Sequence, residues 1–560
     1  MELNFDFIVI GSGFGGSVMS CRLAEKGYKV CLLERGRHWK MHEFPRRPHE
    51  IQKNMFWDPK DKKFGLMEFR DNPDSDVMTL TASGLGGGSL IYANVLYRMP
   101  SEFFKDWPAP FNRAQLDPYY DKVLNVMEAK SYPVDDPYYK NTPKTQALKK
   151  TAEELSQTEE MTAKPQFNLP PLAVRFEGEF PGQQTRNAHG ALQSRCNKCG
   201  ECDLGCNIHA KNTLDLNYIY RAQHLPNKIE VRTQAEVVRI EDFKTYYQVS
   251  YVVPEFPLEE IKITAQKVIV SAGSVGSTSL LLKMKMQGHL PRLNSFLGKK
   301  WCGNGDLLGI VLDSKNQADP TTGPVITGAI EYKYKPYPDA YPHGMYIEDA
   351  GFPIGMAWYL SGKIPQVKTI WGSLQLVCKN VGRFLRKILR LPQKLAEINL
   401  GDDFAKAIDR ADFVRRGFLL LGMGRDRADG ELQLREDGEA ILKWKLTASQ
   451  LHYDRMRTEM KRITTNMGGD FLDNPLTYLD KVIAVHPLGG CPMGTNESEG
   501  FVNTKGEVYG HPGLYVVDGS IIPTSIGPNP SLTIAAIAEY MAEQIPAKSA
   551  VKTESAESAM

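Results

Sequence analysis

The sequence predicts an α/β protein in which a Rossmann-type domain, assembled from three separated pieces of chain, is interleaved with a second domain based on a β-sheet. Three observations predict it. Residues 5–36 (FDFIVIGSGFGGSVMSCRLAEKGYKVCLLERG) run through an apolar strand, a glycine turn, a helical pattern and a second apolar strand that ends on an acid. Residues 267–283 repeat a buried strand, a small-residue turn and a helix, and residues 511–540 return to the same kind of unit. The stretches between, 100–195 and 305–475, lack that alternation. The expected divisions are 1–98, 211–304 and 476–546 for the first domain, and 99–210 and 305–475 for the second. The polar, small-residue tail 547–560 is expected to be disordered.

The first unit carries the chemistry in its order. Gly11 makes the tight turn, Gly13 lets the backbone approach a pyrophosphate, and Gly16 lets helix and strand pack closely, with Phe14 and Gly15 completing the turn. The free N–H groups and dipole at the helix start favour phosphate. Glu34, at the tip of the second strand, is placed to accept hydrogen bonds from a ribose diol. That choice favours a free ribose over a 2′-phosphate and does not separate FAD from NAD.

Composition narrows the class. The 560 residues carry 68 Lys and Arg against 66 Asp and Glu, a net charge of +2, which argues against a dedicated nucleic-acid binder. The chain reaches its first strand within a few residues of Met1, leaving no room for a secretory signal. No apolar run has the length of a bilayer span. A cytoplasmic protein is expected. In that setting the nine cysteines are expected to be free, catalytic or metal-bound rather than paired.

Further along, TASGLGGGSLIYAN (81–94) places Gly84, Gly88 and Ser89 in a glycine-rich loop leading to Asn94, and implies a second cofactor contact. Residues 149–155 read as helical, 229–240 as a strand, and 328–335, 343–348 and 417–423 as further strands. His486 stands beside a rigid turn, HPLGGCPMG, which fixes the direction of its imidazole and suits a general base.

Cys196, Cys199, Cys202 and Cys206 have the spacing of a run that ligates iron–sulfur clusters, except that Asn207 stands where proline usually follows. Four thiolates also suit zinc, and the same residues can simply pack a turn. Residues 363–394 carry eight Lys and Arg and no acid, with apolar residues at helical spacing. They read as a basic amphipathic helix, its segment 377–391 suited to a solvated face, a peripheral contact at the inner membrane face, or the cover of an apolar substrate entrance.

Taken together, these motifs resemble the glucose–methanol–choline oxidoreductases, and within them the cholesterol oxidase branch. The match runs in order through Gly11–Gly16, Glu34, the loop with Gly84 and Ser89, Val237, Gly273, His486, Asp518-Gly519 and Asn529-Pro530. The resemblance implies bound FAD and oxidation of a lipophilic alcohol, most readily a sterol, with electrons passed to O2 or a redox partner. It implies that His486 acts on the substrate hydroxyl and that Asn529 orients the substrate or the reduced flavin. It gives Glu348 the role of an acid that moves a proton during double-bond migration. Tyr92 and Ser531 depart from the family pattern, and so do the basic insert and the four cysteines. Some sugar-oxidising members do carry an iron–sulfur cluster in a comparable place. The alternative readings are an iron–sulfur flavin dehydrogenase for a sugar or long-chain alcohol, and a non-catalytic flavoprotein that transfers electrons.

Overall fold

Continuous apolar strands are the pattern of a sheet covered on both faces, and β1 (Phe5–Ile10) and β2 (Val30–Leu33) have it, nearly every residue being buried. They pair in parallel, Phe7 opposite Val30. In the computed structural model, which describes residues 3–158, 164–333, 344–352, 415–474, 476, 477 and 480–548, they lie inside a seven-stranded sheet. Glu230–Arg232 extends it beyond β2, and Phe256–Val270 pairs with β1 on the other side. The carboxyl half of that long strand also pairs in parallel with Leu514–Val516, while its amino half turns back antiparallel on Tyr247–Val253. The helices α1 (Phe14–Glu25), Gly273–Met286 and Ser531–Gln544 share the apolar core of this sheet.

Two expectations differ from this outcome. Residues 229–240, read as one strand, form two, Glu230–Arg232 and Glu236–Asp242. Gln234 adopts a left-handed φ of 53°, and the N–H groups of Gln234 and Ala235 turn to the carbonyls of Gly36 and Glu34, so the chain bends around the tip of β2. Helix Arg113–Val126, assigned with 99–210 to the second domain, packs in the core of the first sheet through Leu116, Tyr120 and Val123. Its Lys122 and the Arg22 of α1 share Glu539 of helix Ser531–Gln544, at 2.7 Å each. The apolar face of this helix is legible in the sequence; which sheet it covers is not.

The second sheet has six antiparallel strands in the order Asp470–Asp473, Leu307–Leu312, Phe418–Met423, Met345–Ala350, Ala329–Tyr332, Pro165–Asn168. Three of these lie where strand-like alternation predicts them. Successive strand residues face opposite ways, which separates the neighbours Glu348 and Asp349. Ile347 and Asp349 face helices Pro143–Ser156 and Gln450–Asn466, and Glu348 faces the other way. The basic segment 363–394 and residues 549–560 of the tail lie outside the described residues; Lys548 is tied to Lys26 and Asp6. Among the described residues no helix is long and apolar enough to cross a membrane.

Asp349 and Lys144 form an ion pair at 3.0 Å with both side chains fully buried. Thr327 and Gly328 N–H groups satisfy the other carboxylate oxygen at 2.7 and 2.8 Å, and the ammonium also reaches the carbonyls of Val325 and Asp349 at 2.9 Å. Removing one partner leaves an uncompensated charge in a dry site. Lys144→Met is therefore expected to destabilise the fold by about 3–5 kcal/mol, read from denaturant unfolding; a change under about 1 kcal/mol contradicts this account.

Candidate active site

The site is assembled where three parallel strands end. A Cβ on Gly15 would collide with the Val517 carbonyl and one on Gly16 with the Gly11 carbonyl, so glycine is what lets α1 sit on these strand ends. In contrast, a Cβ on Gly13, Gly88 or Gly273 would meet nothing within 4 Å, so these three backbones face open space. The glycine loop lies directly across from Gly13: a Cβ on Gly87 would stand 2.7 Å from the Gly13 Cα.

Glu34 joins turn and loop. One carboxylate oxygen accepts the Ser12 N–H at 3.1 Å and its hydroxyl at 2.5 Å, the other the N–H groups of Gly36 at 2.9 Å and Gly84 at 3.2 Å. A carboxylate offers about four acceptor positions, so a ribose hydroxyl reaches Glu34 only by sharing or displacing one of these donors. Asp518, whose carboxyl is raised by burial, likewise accepts from the Gly273 N–H at 2.9 Å, the Ser277 hydroxyl at 2.5 Å and the Ser520 N–H at 2.8 Å. Gly519 accepts from Gly489 N–H, which docks the histidine turn on the same strand end. Pro530 precedes helix Ser531–Gln544 as its N-cap, and Val237 lies on the strand that follows the bend around Glu34.

Two buried polar atoms here have no protein partner: Oδ1 of Asn529 and Nε of Arg37. Orphaned groups of this kind call for a ligand or water. Together with the open face at Gly13, Gly88 and Gly273, they suit a bound dinucleotide such as FAD.

The second sheet contributes Glu348 and the last piece of chain contributes His486 and Asn529. Glu348 is fully buried; its carboxyl is held well above the usual carboxylate range, first by burial and further by Asp349 and Asp306, with the Asn529 amide opposing. Asn529 Nδ2 lies 3.5 Å from Glu348 Oε2, at the outer limit of a hydrogen bond. His486 Nδ1 lies 2.8 Å from Asp306 Oδ1, and Asp306 Oδ2 accepts the N–H groups of Val485 and His486 at 2.8 and 2.9 Å. Asn529 thus reaches Glu348, while His486 is tied to Asp306, whose charge also acts on Glu348.

Sequence reading missed Asp306 and its neighbour Asn304, which accepts from the N–H groups of Ile526 and Gly527 and donates to the Pro528 carbonyl. The polar run Asn304-Gly305-Asp306, set directly before the apolar strand Leu307–Leu312, was the available signal.

The four cysteines line one cavity of about 20 Å3 with Lys211, Val174 and Ile208. Backbone N–H groups of Lys198 and Ala210 point to the sulfurs of Cys196 and Cys206 at 3.5 and 3.2 Å. The donor chemistry suits a metal, yet the Cys196 and Cys202 thiols are pushed up by burial, and among the described residues no three His, Cys, Asp or Glu side chains are arranged to hold an ion. Lys211, lowered to about 8 chiefly by burial, donates to the carbonyls of Leu90 at 2.8 Å, Tyr92 at 3.2 Å and Cys202 at 2.7 Å. Tyr92 itself donates to the Asn212 carbonyl and stands edge-on to Phe14.

Two family models described as GMC oxidoreductase match residues 5–286 and 431–538. The chain belongs to the GMC oxidoreductase family, whose members bind FAD. It is 29% identical to a cholesterol oxidase of Mycobacterium tuberculosis, over 98% of this chain and 92% of that one. It is 27% identical to a cholesterol oxidase of Acinetobacter baumannii, over 97% and 95%. Among solved structures, pyridoxine 4-oxidase from Mesorbium loti covers 97% of this chain and 99% of its own, with a TM-score of 0.58 and 15% identity, a likeness of fold.

The raised carboxyl of Glu348 has a consequence for stability. A folded-state value above the unfolded one favours folding below the ordinary carboxylate range, about pH 4.3, and that contribution is lost as pH rises toward the folded value. Glu348→Gln keeps a neutral side chain at every pH. It is expected to melt higher than the parent at pH 8, with the gap narrowing toward pH 4; equal melting temperatures at both would show that Glu348 ionises freely.

Proposed function

We propose that this chain is an FAD-dependent oxidoreductase that oxidises a lipophilic alcohol, a sterol in the first instance. The observation that carries the reading is a buried Glu348, its carboxyl raised by burial, within reach of Asn529 and of the field of Asp306, which holds His486. The names of the two cholesterol oxidases support the sterol as first choice.

Bound FAD would supply the acceptor for the hydride. His486 takes the hydroxyl proton of the substrate as its carbon is oxidised, the task of a neutral imidazole placed within hydrogen-bond reach. Asn529 offers an unpartnered carbonyl oxygen to the substrate while its amide faces Glu348. For double-bond migration Glu348, once ionised, takes a proton from one ring carbon and returns it to another. Because its carboxyl is raised, that step speeds up with rising pH.

The purified protein is expected to be yellow and to bleach anaerobically on addition of cholesterol or another sterol; colourless protein, or flavin that no alcohol reduces, removes the reading. His486→Ala is expected to keep its flavin and lose roughly 10²–10⁴-fold in flavin reduction. Glu348→Gln is expected to accumulate the unconjugated ketone while still oxidising the alcohol.

One observation favours a second reading, an iron–sulfur flavin dehydrogenase: four thiols line one cavity and Lys211 ties it to the 84–94 loop. Protein prepared without oxygen would then contain iron and sulfide in near-equal amounts and lose both with Cys199→Ser. Zinc, or no metal, ends this reading and leaves the first intact.

A further inference from the structure

We propose that Asp306 is the positioning residue that sets the tautomer of His486, and so decides which ring nitrogen takes the substrate proton. The proposal rests on the reading of His486 as the base. A neutral imidazole carries its proton on one nitrogen and accepts on the other. Asp306 presents two acceptor oxygens and no donor when ionised. Oδ2 is committed to two backbone N–H groups, those of Val485 at 2.8 Å and His486 at 2.9 Å, and Oδ1 stands 2.8 Å from Nδ1. Nδ1 must therefore carry the proton, which leaves the Nε2 lone pair to accept. The carboxylate also stabilises the imidazolium formed when the substrate proton arrives.

The loop that carries Asp306 is fixed on every side. Trp301 and Gly430 exchange backbone hydrogen bonds at 2.9 Å, and Cys302 and Leu488 do so at 3.0 Å. The Gly303 N–H donates to Asp426 at 2.7 Å, and Asp426 is in turn held by the Ser525 hydroxyl. Asn304 clamps the chain at 526–528, directly before Asn529. One short loop thus holds the segments of both His486 and Asn529, and Asp306 lies in a packed site where its carboxylate has little freedom to swing away. The ionisable groups that face Asp306 are His486, Glu348 and Asp426, with Arg425 and Cys302 beyond Asp426.

Asp306→Asn discriminates between a positioning and a merely structural residue. The two backbone N–H groups need an oxygen, so the new amide turns its NH2 toward Nδ1. That converts Nδ1 to an acceptor and places the ring proton on Nε2. Anaerobic flavin reduction by cholesterol is expected to fall at least 100-fold, with unchanged FAD content and flavin spectrum, and the acid limb of its pH profile is expected to move to lower pH because the imidazolium has lost its carboxylate. A rate within threefold of the parent and an unmoved limb overturn the proposal.

A second measurement needs no variant at Asp306. In parent holoenzyme grown with ring-15N histidine, the His486 signals, identified by their loss in His486→Gln, are expected to show a protonated Nδ1 and an unprotonated Nε2 at neutral pH. The reverse pattern overturns the assignment even where Asp306→Asn fails to fold. If no alcohol bleaches the parent flavin, the function fails on its own, while the nitrogen signals still decide the tautomer.

Discussion

Everything in this molecule depends on one close approach, that of α1 to the ends of the parallel strands. Missing side chains at Gly15 and Gly16 let the helix backbone rest against Val517 and Gly11. The amino end of α1 is thereby held between segments contributed from the beginning, middle and end of the chain. Glu34 and Asp518 then act as paired fasteners, each spending both oxygens on backbone or hydroxyl donors rather than on a charged partner. Hydrogen bonds from several donors to one carboxylate are among the stronger neutral-to-charged contacts available. They hold a rim around an open space without closing it.

The second sheet is brought to that rim by the loop through Asn304 and Asp306. The strand that follows it, Leu307–Leu312, belongs to the second sheet, while Asp306 and Asn304 of the loop reach into the histidine turn and the approach to Asn529. The same sheet uses its two faces for opposite ends. Asp349 is neutralised by Lys144 toward the helices, and Glu348, one residue away, points to the other face, where Asn529 lies 3.5 Å off. Period-two alternation alone separates a carboxylate paired with a lysine from one whose carboxyl burial raises.

The parts of this arrangement that were legible in the sequence are local ones. The turn at Gly11–Gly16, the strands flanking it and the return to the same unit near Gly273 and Asp518 each follow from a few adjacent residues. Residues His486, Asn529 and Glu348 were marked through the family resemblance, and the fold puts Asn529 against Glu348 and His486 against Asp306. What could not be read was partnership across distance. Nothing near Asp306 announces a histidine 180 residues later, and Lys144 looks like any helical lysine until Asp349 meets it. The break in 229–240 was hidden for the same reason, since it is imposed by carbonyls at the tip of β2. The four cysteines show the converse: their spacing is a strong local signal, and the loop they occupy gathers them at one cavity without the arrangement of a metal site.

The order of strands in the first sheet also bears on how the chain comes to be folded. Leu514–Val516 pairs with Phe256–Val270, and Glu539 of the last helix secures Arg22 of the first. A chain emerging from the ribosome can pair β1 with β2 early, but the pairing of Phe256–Val270 with Leu514–Val516 waits until that last strand has been made. Contacts so distant in sequence carry a large closure cost and form late. During synthesis the second sheet must therefore be accommodated as a long excursion from an incomplete first one, with the aliphatic edge of Phe256–Val270 waiting for its final partner. An unpaired strand edge of this kind is what invites wrong pairing while the chain is incomplete.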